Sequence, residues 1–249
     1  MATAAVARIT TTPVKSLGLA HPDRIELTAR GVADDRRFYL LDGDDRLVGG
    51  VKHGPLVQVA PDWDGSRLAL VFPGGSRVEA EVELGEPVVT DFYGKRTVHG
   101  RRVVGPWADA LSDFRSANLS LARVDDASHA QDIHVATLVS DGSLAAIGGL
   151  DGRRFRMLLE LEGCRAFEED EWDGELVRAG EALLRVAGPV PRCAVTTQDP
   201  ATGVRDHDTL RVIRTLRGAT DEKSIYFGMY ATVVEPGAIA VGDSVTPVG

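Results

Sequence analysis

The stretch GPVPRCAVTTQDPATG, Gly188 to Gly203, holds one of the two cysteines in the chain. Cys193 follows Arg192, and a neighbouring positive charge favours thiolate, the form that attacks sulfur or binds a soft metal. Pro189 and Pro191 restrict the backbone on the approach and so help to fix the direction of the side chain. Thr196 and Thr197 place two hydroxyls just after it, and Asp199 is suited to fixing the following turn. The competing reading is a buried cysteine acting as a small hydrophobe. No histidine lies within ten residues of Cys193, so a Cys-His nucleophile would need a distant partner. Cys164, in LEGCRAF, follows an apolar run and reads as packing. Two cysteines without a CxxC do not make a disulfide framework, and a reducing compartment is the simpler setting.

The six histidines are scattered and form no HxxxH or HExxH, which argues against a dedicated zinc site. Lys15 in PVKS, Arg36 in DDRRFYLL and Arg156 in RRFR each put a cation beside an apparent strand or turn. Singly these are surface charges. Together they offer cations that can converge on an anion. The acidic run FEEDEWDGE, residues 167–175, reads as solvated surface, with an acid-base site as the alternative.

These residues need a frame, and the chain reads mostly as strands. VARITTTPV and RFYLLD carry β-branched or aromatic residues between turn formers. LALVFPGGSRVEAEVEL is a hairpin signal, with Val78, Ala80 and Val82 alternating with glutamates. IYFGMYATVV, GAIAVGD and SVTPV are three short strands near the end. Helices are expected at Trp107–Phe114, where Trp107, Leu111 and Phe114 share a face, and after Ser140, a candidate N-cap ended by Gly148-Gly149. TLRVIRTLR is a third candidate that also fits a strand. The expected fold is mainly β (α+β): an N-terminal β domain over 1–89 and a barrel-like domain over 90–249, joined near VTDFYGKRTVHGRRV.

The chain has 249 residues and a net charge of −9. An acidic surface repels phosphate backbones, so nucleic acid is not an expected partner, and it suits a basic redox partner. No apolar run approaches the ~20 residues needed to span a bilayer, and the N-terminus lacks a signal-peptide core. A cytoplasmic protein without membrane contact is expected.

In order, PVKS, DRRFYLLD, LVSDGSL, RRFR, CRAFEEDEW, RCAVTTQDPATG and FGMYATVVEPGAIAVGD resemble the MOSC domain preceded by its N-terminal β domain, over nearly the whole chain. The architecture is similar to that of the mitochondrial amidoxime-reducing component and its bacterial relatives. The resemblance implies a molybdenum cofactor of the molybdopterin type, with Cys193 as metal ligand and catalytic centre. It implies that Lys15, Ser16, Arg36, Arg156 and Arg192 hold the cofactor, that Ser140 offers a helix N-terminus to an anion, and that Thr196 and Thr197 supply hydroxyls beside the ligand. It also brings an association with pyridoxal phosphate binding. The implied activity is reduction of N-hydroxylated small molecules, with electrons from a separate ferredoxin- or cytochrome-type protein, since no iron-sulfur domain follows Gly249. Three departures stand out: Met157 and Leu158 replace a Pro-Asn pair, Val139 replaces a threonine, and Lys52-His53 replaces Arg-Gln. They keep two alternatives open. One is a sulfur carrier or sulfurtransferase that loads a Cys193 persulfide from a cysteine desulfurase. The other is a non-enzymatic binding protein.

Overall fold

In the computed structural model, residues 4–125, 129–218 and 224–248 are described. Seven strands close a barrel in the order Ala4–Ile9, Leu159–Glu162, Ala136–Ser140, Tyr226–Glu235, Ala182–Pro191, Leu176–Ala179 and Ser244–Val248, which returns to Ala4–Ile9. All pairs are antiparallel except Ala136–Ser140 with Leu159–Glu162. Inward residues of these strands, among them Val6, Ile9, Leu138, Leu161, Val177, Leu184 and Val245, form one apolar cluster. Alternation along the strands sends their neighbours outward.

The first half carries a four-stranded sheet ordered Phe38–Asp42, Leu119–Val124, Arg96–Val104, Glu83–Phe92, and the expected hairpin Arg67–Val71 with Arg77–Glu81, extended by Ala60–Trp63. Its core is a second cluster around Phe38, Leu56, Leu68, Trp107 and Leu111. The expected boundary at 89/90 falls inside Glu83–Phe92, which pairs along its length with Arg96–Val104. VTDFYGKRTVHGRRV is therefore a hairpin within the first half's sheet, not a linker, and that sheet continues to Val124. The first strand of the chain, conversely, belongs to the barrel.

The two helices expected from the sequence are present, α1 (Trp107–Arg115) and α2 (Asp141–Ala146), and the ambiguous third candidate forms α3 (Thr209–Arg217). Trp107 is fully buried and donates its indole N–H to Leu68 O at 3.0 Å, which pins α1 to the hairpin. Helix won over strand in TLRVIRTLR because Leu210, Val212 and Ile213 pack on the barrel end while Arg211 and Arg214 stay exposed. Among the described residues no helix is long and apolar enough to cross a membrane.

Candidate functional site

The strand Ala182–Pro191 loses regular register at Pro189 and Pro191, because proline has no N–H to give the ladder. Arg192 N is caught by Ile225 O at 2.7 Å, and the chain turns at once into the short 3-10 helix Ala194–Thr197. Thr196 donates from both N and Oγ1 to Cys193 O, at 3.2 and 3.1 Å. Asp199 Oδ1 accepts from Ala201 N, Thr202 N and Thr202 Oγ1, as its turn role requires. Behind the loop, Thr209 Oγ1 at the start of α3 donates to Thr196 O at 2.8 Å. In front, Gln198 Nε2 donates to Gly50 O and Val51 O, both at 3.2 Å. Gly203 and Gly54 meet backbone to backbone: a Cβ on Gly203 would lie 2.0 Å from Gly54 O. The Cys193 loop is thus wedged between α3 and the first half.

Cys193 is free and exposed. It opens into a cleft of about 670 Å³ between the two halves. Among the described residues, six basic side chains line it, Lys15, Arg36, Lys52, Lys95, Arg156 and Arg192, against two acidic ones, Asp42 and Asp132. That local excess of positive charge sits on a chain with a net charge of −9.

The deep cations are held in place. Lys15 Nζ donates to Ala130 O at 2.9 Å and pairs with Asp132 at 2.5 Å. Burial lowers its pKa; Asp132 opposes this, and Arg36 and Arg156 add to it. Burial would raise the Asp132 carboxyl, but Lys15, Arg36 and Arg96 outweigh it and hold it below the usual range. Arg36 pairs with the buried Asp35 and donates to Arg156 O. Arg156 donates to Leu17 O at 2.7 Å, and burial, then the charge of Arg36, lowers it to about 9. Arg192 is lowered by burial to about 10. Its Nε, Nη1 and Nη2 are directed to Phe227 O, Phe155 O and Met157 Sδ, so it braces the wall beside Cys193. Seven non-glycine residues among those described have left-handed backbone, and four of them, Ser16, Arg36, Tyr93 and Arg156, line this cleft. Such conformations are held only where surrounding structure over-determines them, and they concentrate at sites that use ligands.

Two expected site residues lie elsewhere. Ser140 caps α2 as expected, accepting from Ser143 N at 3.1 Å, but it is fully buried outside the cleft. The Glu169 carboxylate takes the anion's place there, accepting from Ser140 N, Ser140 Oγ and Ser143 Oγ at 3.2, 2.6 and 2.9 Å. Hence the acidic run is not wholly solvated, since Glu169 is fully buried. Thr197 is turned away from the cleft lining and donates to Ala194 O at 2.7 Å. Lys15, Ser16, Arg36, Arg156, Arg192, Cys193 and Thr196 do line the cleft, as do Met157, Leu158, Lys52 and His53. Sequence reading missed Asp132, Tyr93 and Tyr230. Tyr93 left a signal, since Tyr-Gly sits where a tight hairpin turn favours Asn-Gly. Cys164 is half-buried, and burial, with Glu169, Glu168 and Asp141, raises its thiol to about 12. No cluster of three or more potential metal-binding side chains occurs among the described residues.

With this geometry in hand, the MOSC domain model matches residues 123–246 and the MOSC N-terminal beta barrel domain model matches residues 3–118. The chain belongs to the MOSC family. This MOSC protein is similar to mitochondrial amidoxime-reducing component 1 of Mus musculus, at 30% identity over 98% of this chain and 82% of that one. It is similar to mitochondrial amidoxime reducing component 2 of Bos taurus at 28% identity, covering 94% and 80%. Among solved structures it is similar to the YUAD protein from Bacillus subtilis, with a TM-score of 0.44 at 12% identity, over 98% of this chain and 94% of that one. The two family matches meet between residues 118 and 123, where the first half's last strand begins.

Proposed function

We propose that this MOSC protein is a molybdenum-cofactor-dependent oxidoreductase that reduces N-hydroxylated small molecules, with Cys193 as the metal ligand. The observation that carries the reading is a free, exposed thiol opening into a cleft with six basic and two acidic side chains. The residues fit an anionic, phosphate-bearing pterin. Lys15 and Arg156 are lowered by burial and by Arg36, which marks mutual repulsion that a bound anion would relieve. Cys193 is the only cysteine among the described residues that line the cleft, and a cysteine sulfur is a soft donor that suits molybdenum. One hydrogen-bonding position is lost: the Leu158 side chain offers no polar atom, although its N–H is satisfied by Thr137 Oγ1 at 2.8 Å.

When bound, the cofactor would supply two-electron redox chemistry. The chain supplies position and charge. Lys15, Ser16, Arg36 and Arg156 would hold the cofactor's anionic end. Arg192 keeps the Phe155–Met157 segment and the strand Tyr226–Glu235 against the cysteine loop. Thr196 fixes the Cys193 carbonyl and so the direction of its sulfur. Two electrons and two protons turn an N-hydroxyl into N–H and water, with the electrons coming from a separate ferredoxin- or cytochrome-type protein. A sulfur carrier would need an open thiol, but a single sulfur atom has no use for so large a cationic cleft, so this reading stands second.

Protein made in a host that synthesises the cofactor should contain about one molybdenum per chain, and Cys193→Ser should lose reductase activity by changing the ligand field. Absence of both molybdenum and pterin from such protein, together with sulfur uptake on Cys193 from a cysteine desulfurase, would replace the reductase with the sulfur carrier.

A further inference from the structure

The cleft has an outer storey that cofactor binding by the deep cations leaves unexplained. Its hairpin side is the turn Phe92-Tyr93-Gly94-Lys95, closed by Lys95 N to Phe92 O at 3.1 Å. Tyr93 and Gly94 have φ of +61° and +69°, two consecutive left-handed residues in a three-residue loop, since Phe92 pairs with Arg96. Asparagine or aspartate is the favoured first residue there, and a bulky side chain costs about 1–2 kcal/mol. The chain nevertheless places tyrosine at this point, with its ring lining the cleft and 52% exposed.

Opposite stands the segment 49–53. A Cβ on Gly49 would lie only 3.2 Å from Tyr93 Oη, so the ring reaches across the mouth to a backbone kept clear of side chain. Val51, 37% exposed, adds apolar surface on that side. The mouth also carries Lys95 and Lys52, both exposed and without an ion pair among the described residues. Lys15, by contrast, is neutralised by Asp132. The outer storey is therefore an aromatic face flanked by two ammonium groups: Lys95, and Lys52, which also feels the Asp42 carboxylate of the same cleft.

We propose that this mouth is a substrate subsite selecting flat aryl compounds that carry an anionic substituent beside the N-hydroxyl group. The proposal rests on the reductase reading and names its substrate class. An aryl ring packs against Tyr93, and the anionic substituent meets Lys52 or Lys95, in a geometry where one added charge pair is worth about tenfold in affinity at low salt.

The test compares an aryl amidoxime with its para-carboxylate derivative, by kcat/KM in molybdenum-loaded protein and by calorimetric titration of loaded and cofactor-free protein. The carboxylate should be preferred by about tenfold at low ionic strength. The preference should collapse at 0.5 M salt and in the Lys52→Ala/Lys95→Ala variant. Tyr93→Asn supplies a separate readout: it relieves the turn, so the melting temperature should rise while aryl affinity falls, whereas a structural tyrosine would lose stability when replaced. Equal handling of the two compounds, or a preference that survives loss of both lysines, overturns the subsite. A Tyr93→Asn variant that melts lower with unchanged aryl affinity overturns the aromatic platform. If neither compound is reduced but the carboxylate still binds more tightly in a lysine-dependent way, the subsite stands and the reductase reading fails. If neither compound binds, the proposal falls.

Discussion

The contact between Gly54 and Gly203 can be separated into its two physical parts with three substitutions. Gly203 has φ of +72°, and a Cβ there would sit 2.0 Å from Gly54 O. Gly203→Ala therefore meets both a left-handed backbone, worth about 1–2 kcal/mol, and an overlap of more than ~1 Å with a rigid main chain, worth about 1–3 kcal/mol by comparison with overpacked cores. Gly54 is not held at positive φ, yet its Cβ would lie 2.1 Å from Gly203 O, so Gly54→Ala isolates the overlap. Gly74, with φ of +90° and open space around it, isolates the backbone term. For a chain of this size each kcal/mol moves the melting temperature by about 2–4 °C. Gly203→Ala should melt about 10 °C low, and Gly54→Ala and Gly74→Ala about half as far. The double Gly54→Ala/Gly203→Ala variant should cost less than the two single changes taken together, because loops already forced apart do not clash twice. Urea unfolding and thermal melts of the variants read this directly. If Gly203→Ala behaved like Gly74→Ala, the halves would not be pressed together at this point, and the account of how the Cys193 loop is held would be wrong.

Further outcomes follow from groups described above. Glu169→Ala strands Ser140 N–H and two buried hydroxyls, so it should cost about 3 kcal/mol in urea, and Glu169→Gln distinctly less. Burial, then the charge of Arg96, holds the His129 imidazole down at about 4, below its ordinary 6.5. The unfolded chain therefore binds the extra proton first: His129 stabilises fully above pH 6.5, and its contribution of up to about 2 kcal/mol is lost as pH falls through 4. His129→Gln should flatten that part of the stability–pH curve. With its thiol raised to about 12, Cys164 carries roughly a thousandfold less thiolate than an ordinary cysteine near pH 8. Brief alkylation of cofactor-free protein should accordingly label Cys193 alone, as read by intact mass.

Legibility in the sequence followed the range of the interactions. The hairpin of residues 67–81 and the helix after Ser140 were readable because alternation and capping are local. Lys15, Arg36 and Arg156 could be named from the family resemblance, and the fold brings all three to one cleft with Cys193. What the sequence hid depends on partners far along the chain. Ser140 caps its helix as its type suggests, but a carboxylate 29 residues later fills the place an anion would take. The same pairing buried one member of an acidic run whose neighbours Glu168, Asp170 and Glu171 stay partly or fully exposed. Asp132 stands alone in the sequence and becomes the counter-charge of a lysine 117 residues away. The junction near residue 89 was misplaced because Tyr93-Gly94 is a hairpin turn in a guise that disfavours it.

The barrel's seam lies between the first strand and the last, with Ala4 opposite Val245 and Ala5 opposite Ser244. During synthesis, Ala4–Ile9 leaves the ribosome before any strand it pairs with. Its first neighbour, Leu159–Glu162, is about 150 residues behind, and its second is nearly the whole chain away. At bacterial-to-eukaryotic elongation rates of about 5–20 residues per second, the barrel stays unclosed for on the order of tens of seconds, with the apolar face of Val6 and Ile9 unpaired. The two sheets of the first half can form in that interval, since all their strands lie within residues 38–124. The second half cannot close early. An open strand edge is a template for pairing with other chains, so nascent chains on neighbouring ribosomes are each other's nearest hazard, and slowing the last codons should raise aggregation more than slowing those of the first half.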